Sequence, residues 1–298
     1  MTPKILLLGC GGQVGWELQR ALAPLGHLTA LDFDTLPAAD FSQPKALPAL
    51  LDSLAPDVIV NAAAHTAVDQ AESEPALAQA INAEAPATLA RWATARGAWL
   101  VHYSTDYVFD GSGTRPRDET APTGPLSVYG RTKLAAEQAI GDSGCRHLIL
   151  RTSWVYAARG GNFARTMLRL AAERDELAVI DDQIGAPTGA ELLADVSAHA
   201  LKRAWVEPAL SGLYHCVAAG ETSWHGYACF VIDWARARGQ PLKVGPGAMR
   251  PIPTADYPTP ARRPLNSRLA TQKLQQAFGL VLPPWQTGVT RMLSEIHR

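Results

Sequence analysis

The amino terminus combines a short apolar run, a glycine-rich turn and a segment with helical spacing. The apolar run is Ile5 to Leu8, the turn carries Gly9, Gly12 and Gly15, and Trp16 to Leu22 follows with helical periodicity. Glycines let the backbone turn tightly and approach a pyrophosphate closely, and amide groups at a helix start favour negative charge. This order predicts a strand, a dinucleotide-binding turn and a helix.

Asp32 supports the same prediction. The run Leu28 to Leu31 indicates a second strand, and Asp32 ends it 17 residues after Gly15. An acidic side chain at this place accepts hydrogen bonds from a ribose diol. It disfavours a 2′-phosphate, yet both NADH and NADPH stay open as cofactors.

Apolar runs alternate with helical segments through the first half of the chain. Strands are expected at Asp57–Asn61, Trp99–Tyr103 and His147–Leu150, and a long helix is expected over Glu74–Arg96. This alternation predicts an α/β fold with a Rossmann-like, doubly wound parallel sheet. Ligands of such sheets bind beyond the carboxyl ends of the strands. Four residues follow predicted strand ends and are expected at one edge of the sheet: Gly9, Asp32, Ala62 and Thr105.

The alternation loosens after Tyr156. We expect residues 1–155 to form the dinucleotide-binding domain, parts of 156–217 to return to it, and 156–298 to form mainly a smaller, interleaved substrate-binding lobe. Further elements are expected as helices over Asn162–Arg174, 190–203 and Trp224–Arg238 and as strands over Leu177–Ile180 and Gly212–Val217. Prolines leave little room for regular structure between Arg250 and Arg268.

Tyr129 and Lys133 form a Tyr-x-x-x-Lys pair in a segment that favours a helix. Residues four apart share one face of a helix. A positive charge beside a phenol favours the phenolate, so Lys133 is expected to lower the pKa of Tyr129 and to poise it as a general acid. The hydroxyl group of Thr105 is expected to bind the same substrate oxygen.

Composition excludes several classes of function. The chain of 298 residues has a net charge of -1, which gives no electrostatic footprint for nucleic acid or anionic lipid. No stretch approaches the roughly 20 apolar residues of a membrane span, and the run Ile5 to Leu8 is far shorter than a signal core. The 4 cysteines contain no C-x-x-C pair, which favours reduced thiols and a cytoplasmic protein.

Together these motifs resemble the extended short-chain dehydrogenase/reductases. Longer strings resemble one of their families in particular, the dTDP-4-dehydrorhamnose reductases, and they span nearly the whole chain. These strings are Gly12–Glu17, Asn61–Asp69, His102–Phe109, Arg151–Tyr156, Gly185–Gly189 and Pro258–Pro264.

The resemblance implies reduction of the 4-keto group of dTDP-4-dehydro-L-rhamnose by NADPH or NADH. Tyr129 would donate the proton, Lys133 would also hold the nicotinamide ribose, and Thr105 would tune the tyrosine or bind the keto oxygen. The cofactor contacts implied by matching are Gly9, Gly12, Gln13, Val14, Asp32, Asp40, Phe41, Ala64, His65, Thr66, Tyr129 and Lys133.

The implied substrate contacts are Thr105, Asp106 and Trp154. Arg262 and Arg263 are further candidates for the diphosphate, because guanidinium forks suit phosphate oxygens. Tyr107 stands where related dehydratases carry an acid, which argues against elimination of water. Trp154 is equally compatible with a core aromatic on its residue type alone. His65 and His102 have no clustered partner, so apart from the resemblance they are expected to be packed histidines.

The resemblance also implies a metal and a partner. Glu17, Glu191 and Glu295 match glutamates with which this family binds Mg²⁺ at a symmetric dimer contact. Six carboxylates near a twofold axis would repel, and a cation with oxygen ligands would remove that repulsion. We therefore expect a homodimer with structural Mg²⁺, a dTDP-sugar as substrate, and neither nucleic acid nor membrane as partner.

Two alternative functions remain open at this point. A nucleotide-sugar epimerase uses the same tyrosine and lysine but keeps NAD bound. A regulatory subunit of the methionine adenosyltransferase type would need no catalytic groups, and intact Thr105, Tyr129 and Lys133 speak against it.

Overall fold

The structure, a computed structural model, describes residues 2–297. The α-helices are α1 Gln13–Leu22, α2 Leu47–Leu54, α3 Val68–Ser73, α4 Pro75–Gln79, α5 Ala85–Arg96, α6 Val128–Asp142, α7 Phe163–Glu173, α8 Ala190–Val206, α9 Trp224–Arg236, α10 Gln272–Phe278 and α11 Trp285–Ile296. The strands are β1 Lys4–Leu8, β2 His27–Leu31, β3 Val58–Asn61, β4 Trp99–Thr105, β5 Arg146–Thr152, β6 Val155–Tyr156, β7 Leu177–Ile180, β8 Ile184–Gly185, β9 Thr188–Gly189, β10 Gly212–His215, β11 Thr222–Ser223 and β12 Met249–Ile252.

Six of these strands form one parallel sheet in the order β10-β5-β4-β3-β1-β2. The chain leaves β1 towards β2 on one side and then continues from β3 towards β10 on the other side. The strand order therefore reverses at β1, where a doubly wound sheet binds its ligands. The predicted Rossmann-like α/β fold is confirmed.

The apolar run of β1 is buried on both faces of the sheet. Ile5 and Leu7 pack in the core that α1 and α8 cover, whereas Leu6 and Leu8 pack in the core that α2 and α5 cover. A parallel strand covered by helices on both sides needs apolar residues at every position. This is why the run is continuous rather than alternating.

Two predicted segments differ from the structure. The helix expected over Glu74–Arg96 contains a π-helical stretch, Ala80–Glu84, between α4 and α5. The expectation of little regular structure after Arg250 was wrong at its start, because β12 pairs in parallel with β7. Pro251 is tolerated there since this small sheet has only two strands, and both are edge strands.

The second half of the chain contributes to two regions. Helix α8 packs against α1, and β10 pairs with β5 at one edge of the main sheet. Helices α7, α9 and α11 share a separate aromatic core. The domain boundary expected near residue 155 stays a prediction. No helix within residues 2–297 is both long and apolar enough to cross a membrane.

Gly130 sets how closely α6 approaches the end of β4. A Cβ atom at Gly130 would lie 2.3 Å from the carbonyl oxygen of Tyr107. We expect Gly130→Ala to lower the free energy of unfolding by about 1–3 kcal/mol, the usual cost of overpacking. Gly141 in the same helix is a matched control, since a Cβ there meets no described atom within 4 Å.

Gly141→Ala should raise the free energy of unfolding by about 0.5–1 kcal/mol, because alanine restricts the unfolded chain and favours helix. Urea unfolding of both variants measures the difference. Equal stabilisation by the two substitutions would contradict the close approach of α6 to Tyr107.

Candidate active site

The glycine turn after β1 lies at the edge where the strand order reverses. Gly9 has a φ of +81°, and a Cβ atom there would lie 2.5 Å from the backbone nitrogen of Ala63. A Cβ atom at Gly15 would lie 2.0 Å from the carbonyl oxygen of Gly9. Gly12 precedes α1 directly. The turn can therefore pack this closely against the segment after β3 and against the start of α1 only because Gly9 and Gly15 carry no side chain.

Asp32 helps to hold this turn. The backbone N–H of Gly11 donates a hydrogen bond of 3.0 Å to Oδ2 of Asp32, which follows β2. Only one of its two oxygens takes part in this bond, so the carboxylate can still accept from a ribose hydroxyl. The position of Asp32 beside the turn matches its predicted role at the adenosine ribose.

The two other residues predicted around the adenosine have local partners. Both carboxylate oxygens of Asp40 accept hydrogen bonds of 2.8 Å from Ser42. The side chain of Phe41 is 5% exposed and packs in the core beneath the sheet. A contact from Phe41 to a cofactor would therefore have to come from its backbone.

A loop after β6 lies against the start of α1. Nε2 of Gln13 donates to the carbonyl oxygen of Gly161 at 2.7 Å, and the guanidinium group of Arg159 stacks 3.9 Å from the ring of Trp16. Val14 packs against the core instead. Sequence reasoning missed this loop, because nothing in its residues indicates which helix it contacts.

Asn82 holds the segment that follows β3. Its Oδ1 accepts from the backbone N–H of His65 at 2.8 Å, and its Nδ2 donates to the carbonyl oxygen of His65 at 3.1 Å and to Oγ1 of Thr132 at 3.3 Å. Asn82 is fully buried in the π-helical stretch, a feature common at functional sites. Ala64 and Thr66 flank the held residue. The only sequence signal for Asn82 is a lone amide in an apolar helical segment.

Helix α6 begins beside the carboxyl end of β4. Oγ of Ser127 caps the helix by accepting from the N–H of Gly130 at 3.1 Å, which puts Tyr129 in the first turn. Oγ1 of Thr105 donates to Oδ1 of Asp106 at 3.0 Å. The same hydroxyl group lies close enough to the phenol of Tyr129 to lower its pKa. The structure thus brings together the predicted phenol, hydroxyl and carboxyl groups.

The ionisation of Tyr129 differs from the expectation. Burial raises the pKa of Tyr129 to about 12, the charge of Asp106 adds to the rise, and the hydroxyl group of Thr105 opposes it. Lys133 is 2% exposed and donates to the carbonyl oxygen of Tyr103 at 2.5 Å. Burial lowers the pKa of Lys133 to about 8. The expected lowering of the phenol pKa by Lys133 is not found, because burial is the largest cause of the shift and Lys133 is not among its causes. The phenol therefore keeps its proton at neutral pH.

Asp106 has an incomplete set of hydrogen bonds. It is 2% exposed, and its Oδ2 has no hydrogen-bond partner among residues 2–297. Burial raises its pKa to about 6, while hydroxyl groups of Ser267 and Thr105 oppose the rise. A buried carboxyl oxygen without a partner is a place for a polar ligand group. This fits the predicted role of Asp106 as a substrate contact.

The structure also contains a cavity of about 870 Å³. Arg263 lines it and forms a bidentate ion pair with Asp69 at 2.7 and 3.0 Å. The ring of Tyr107 interacts with Arg263 and contacts the ring of Tyr129 edge-on, with 5.6 Å between the ring centroids. Arg262 is exposed and is absent from the lining. Arg174 and Arg250, which sequence reasoning missed, also line the cavity.

Trp154 has an unusual backbone conformation near this cavity. Its φ is +50°, rare for a large side chain, and its ring stacks on Trp224 at 3.7 Å. Gly185 makes room for the stack, because a Cβ atom there would lie 2.8 Å from the Trp154 ring. Backbone strain of this kind persists at ligand sites when the surroundings enforce it. Trp224, on which Trp154 stacks, lines the cavity, and the role of Trp154 as a substrate contact stays a prediction.

The three glutamates expected to bind Mg²⁺ contact arginines instead. Nε of Arg291 lies 3.4 Å from Glu191 and 3.3 Å from Glu295, and Arg20 lies 3.7 Å from Glu17. Within residues 2–297, no group of three or more His, Cys, Asp or Glu side chains is placed to hold a metal. The expected Mg²⁺ site is therefore not formed by one chain alone.

The doubly wound sheet, the glycine turn at its reversal point and the Tyr129–Lys133 pair beside Thr105 define an extended short-chain dehydrogenase/reductase. The profile of the family described as "RmlD substrate binding domain" matches residues 3–298. The chain is 59% identical over 294 residues to the dTDP-4-dehydrorhamnose reductase of Escherichia coli K12, with 98% of each chain covered. The chain therefore belongs to the dTDP-4-dehydrorhamnose reductase family.

Solved structures agree with this assignment. A dTDP-4-dehydrorhamnose reductase of Clostridium acetobutylicum is 34% identical, with a TM-score of 0.88 over 99% of this chain and 100% of that one. The enzyme of Bacillus anthracis, solved in complex with NADP, is 33% identical, with a TM-score of 0.87 over the same shares. Both relatives share the arrangement of the whole chain and not only of the sheet.

Asp106→Asn tests how much the buried carboxylate of Asp106 costs the stability of the fold. We expect the free energy of unfolding at pH 7.5 to rise by about 1–3 kcal/mol, because the variant removes a buried carboxylate. The pKa of Asp106 is raised in the folded chain, so the wild type gains stability as pH falls through 6. The advantage of the variant should therefore disappear below the ordinary value of 3.8.

Asp110→Asn is the control of opposite sign. Hydrogen bonds from Ser112 hold the pKa of Asp110 below its ordinary value, so this variant should lose stability at pH 7.5. Urea unfolding between pH 3.5 and 7.5 measures both. A less stable Asp106→Asn at pH 7.5 would show that the buried carboxylate is not a cost to the fold.

Proposed function

We propose that the protein reduces the 4-keto group of dTDP-4-dehydro-L-rhamnose with NADPH or NADH, giving dTDP-L-rhamnose. The observation that carries this proposal is a protonated Tyr129 beside Thr105 and Asp106, at the edge of the sheet where the glycine turn also lies. The name of the Escherichia coli relative supports the substrate, and the NADP complex of the Bacillus anthracis relative supports the cofactor.

The glycine turn fits a dinucleotide, because Gly9 and Gly15 let the backbone fold tightly at the start of α1, where a pyrophosphate is favoured. The first turn of α1, which begins at Gln13, offers backbone N–H groups to the phosphates, and Asp32 accepts from the adenosine ribose. His65, with its backbone held by Asn82, lines the middle of the site. NAD(P)H supplies the hydride when it is bound.

The residues of this chain supply the proton and orient the oxygen on C4 of the substrate. Tyr129 holds its phenolic proton at neutral pH and gives it to the oxygen on C4 as negative charge develops there. The hydroxyl group of Thr105 orients that oxygen. Oδ2 of Asp106, buried and without a protein partner within residues 2–297, accepts from a sugar hydroxyl.

The cavity beside Tyr107 is the proposed place for the nucleotide. Its arginines, Arg174, Arg250 and Arg263, provide guanidinium groups for the diphosphate, and the Trp154–Trp224 stack provides an aromatic wall. Because Arg263 is paired with Asp69, part of its charge is already balanced before a ligand binds. Arg262, exposed outside the cavity, is the weaker candidate.

Tyr129→Phe tests the proton donor. We expect turnover to fall by about a hundred- to ten-thousand-fold, the usual contribution of positioned proton transfer. Cofactor affinity should be retained. The measurement is loss of absorbance of NADH and of NADPH with dTDP-4-dehydrorhamnose supplied, together with cofactor titration.

Tyr214→Phe serves as the control, because the Tyr214 hydroxyl group donates to the carbonyl oxygen of Leu210, before β10, and not to a group of the proposed site. It should retain turnover. A Tyr129→Phe enzyme as fast as this control would remove Tyr129 from the mechanism. Interconversion of sugars without net loss of NAD(P)H would instead favour the epimerase, and no turnover by the wild type would favour the regulatory subunit.

We further propose that the protein acts in the cytosol as a homodimer tightened by Mg²⁺. The 4 cysteines are unpaired, as reduced thiols would be. Burial raises the pKa of Glu191, and the negative charges of Glu295 and Glu17 add to the rise. The three acids therefore face a common region. A second copy of this region would double the negative charge that a cation could balance.

The dimer is tested by sedimentation with Mg²⁺ and with a chelator. We expect a tighter dimer in Mg²⁺ and a weaker one after Glu295→Lys, because reversing this charge disfavours the cation. Glu207→Lys, at an exposed glutamate that pairs with Arg203 after α8, should leave the dimer unchanged. A monomer in all conditions, or a dimer indifferent to metal and to Glu295→Lys, would contradict the proposal.

A further inference from the structure

Asp69 ties together two parts of the chain that lie 194 residues apart. It is the second residue of α3, which begins shortly after the segment Ala64–Thr66 that is predicted to contact the cofactor. Its Oδ1 accepts from the backbone N–H of Ala261 at 3.0 Å, and its two oxygens accept from Nη1 and Nη2 of Arg263 at 3.0 and 2.7 Å. Hydrogen bonds from Arg263 hold the pKa of Asp69 below its ordinary value, so the carboxylate is charged at neutral pH.

The loop that Asp69 anchors, residues 258–264, forms part of the wall of the 870 Å³ cavity. Thr259 and Arg263 of this loop line the cavity, and so does Asp69 itself. Three of the seven loop residues are prolines, which restrict the backbone. Oγ1 of Thr259 donates to the carbonyl oxygen of Ala261 at 2.9 Å. The anchor therefore holds a short, stiff piece of wall rather than one side chain.

The hydrogen bonds of Arg263 determine which edge of its guanidinium group stays free. A guanidinium group has five N–H groups. Nη1 donates to Asp69, to Oγ1 of Thr259 at 2.7 Å and to the carbonyl oxygen of Ala261 at 3.2 Å, and Nη2 donates once to Asp69. Within residues 2–297 these bonds leave the Nε–H group and the second Nη2–H group, which lie on one edge. Two parallel N–H groups on one edge suit two oxygens of a phosphate.

Arg263 also interacts with the aromatic pair that contains the proposed proton donor. The hydroxyl group of Tyr107 interacts with the guanidinium group, and the ring of Tyr107 contacts the ring of Tyr129 edge-on at 5.6 Å between centroids. A phenol oxygen can accept from a guanidinium N–H group and still donate its own O–H to a ligand. Arg263 therefore links the anchor at Asp69 to the Tyr107–Tyr129 pair.

Two effects of Asp69 on an anionic ligand have opposite signs. Its negative charge lies against Arg263 and repels a diphosphate, so the loss of this charge alone would strengthen binding. Its hydrogen bonds hold Arg263 and the 258–264 loop in one arrangement, so less conformational freedom is lost when a ligand binds. A long arginine side chain and a loop are ordered by one carboxylate, and we expect this second effect to be the larger.

We propose that Asp69 is a positioning residue for the nucleoside diphosphate of the substrate, because it holds Arg263 with one edge free for phosphate oxygens and holds the 258–264 loop as a preformed wall of the cavity. The role rests on the proposed function, since it takes this cavity as the place of the nucleotide.

Binding of dTDP, followed by titration calorimetry without cofactor, tests the role without turnover. Asp69→Ala should weaken dTDP binding about tenfold, because Arg263 and the loop must then be ordered by the ligand. The change in charge alone would act in the opposite direction. Glu173→Ala is the matched control, since it removes the same charge one residue before Arg174 of the cavity lining but pairs only with Arg169. This control should not weaken binding.

A second substitution shows whether Asp69 acts through Arg263. Arg263→Lys keeps the positive charge but removes the fork, so Asp69→Ala should have little further effect on dTDP binding in that background. Hydrogen exchange of the four backbone amides of the 258–264 loop should accelerate in Asp69→Ala and stay unchanged in Glu173→Ala, because only Asp69 accepts from the Ala261 amide.

Three results would overturn the positioning role. These are dTDP binding by Asp69→Ala that is as tight as in the wild type or tighter, a full further loss in the Arg263→Lys background, and unchanged exchange of the loop. If Asp69→Ala does not fold, Asp69→Asn decides by the same readings, since its amide NH₂ group cannot accept from Arg263. A wild type that binds no dTDP overturns the nucleotide assignment of the cavity together with this role, so the two failures are distinguishable.

Discussion

Hydrogen bonding between parallel strands determines where each chemical group of this protein lies. Leu8 pairs in register with Leu31 and with Asn61, and Thr105 pairs with Thr152 further along the sheet. Because all these strands run in one direction, their carboxyl ends share one edge, and the loops that follow carry the functional groups. Residues far apart in the chain thus become neighbours through backbone geometry alone.

Burial then decides the ionisation of the groups gathered at this edge. The pKa of Tyr129 rises, the pKa of Asp106 rises to about 6, and the pKa of Lys133 falls to about 8, in each case mainly through desolvation. Each of these shifts favours the uncharged form. At pH 7 the phenol of Tyr129 is therefore protonated, whereas the carboxyl group of Asp106 and the amine of Lys133 stay mostly charged. A protonated phenol beside the end of β4 suits protonation of a ketone oxygen.

Local patterns in the chain predicted much of this site. The spacing of Gly9, Gly12 and Gly15 required a turn of small residues, and the structure uses that smallness at Gly9 and Gly15. Tyr129 and Lys133 were found because a four-residue spacing has a direct meaning on a helix. Asn82 was not found, since its role depends on a bond across 17 residues to a backbone segment.

The sequence by itself determined the parallel α/β fold, the glycine turn after β1 and the spacing of Tyr129 and Lys133 on one helix, because strand runs, glycine spacing and helical periodicity are properties of neighbours in the chain. Only the tertiary structure decided that Arg291 contacts both Glu191 and Glu295, and that burial sets the pKa of the Tyr129 phenol. Ion pairing and desolvation depend on which residues meet across the fold and on how much water is excluded, and neither is written in any single segment.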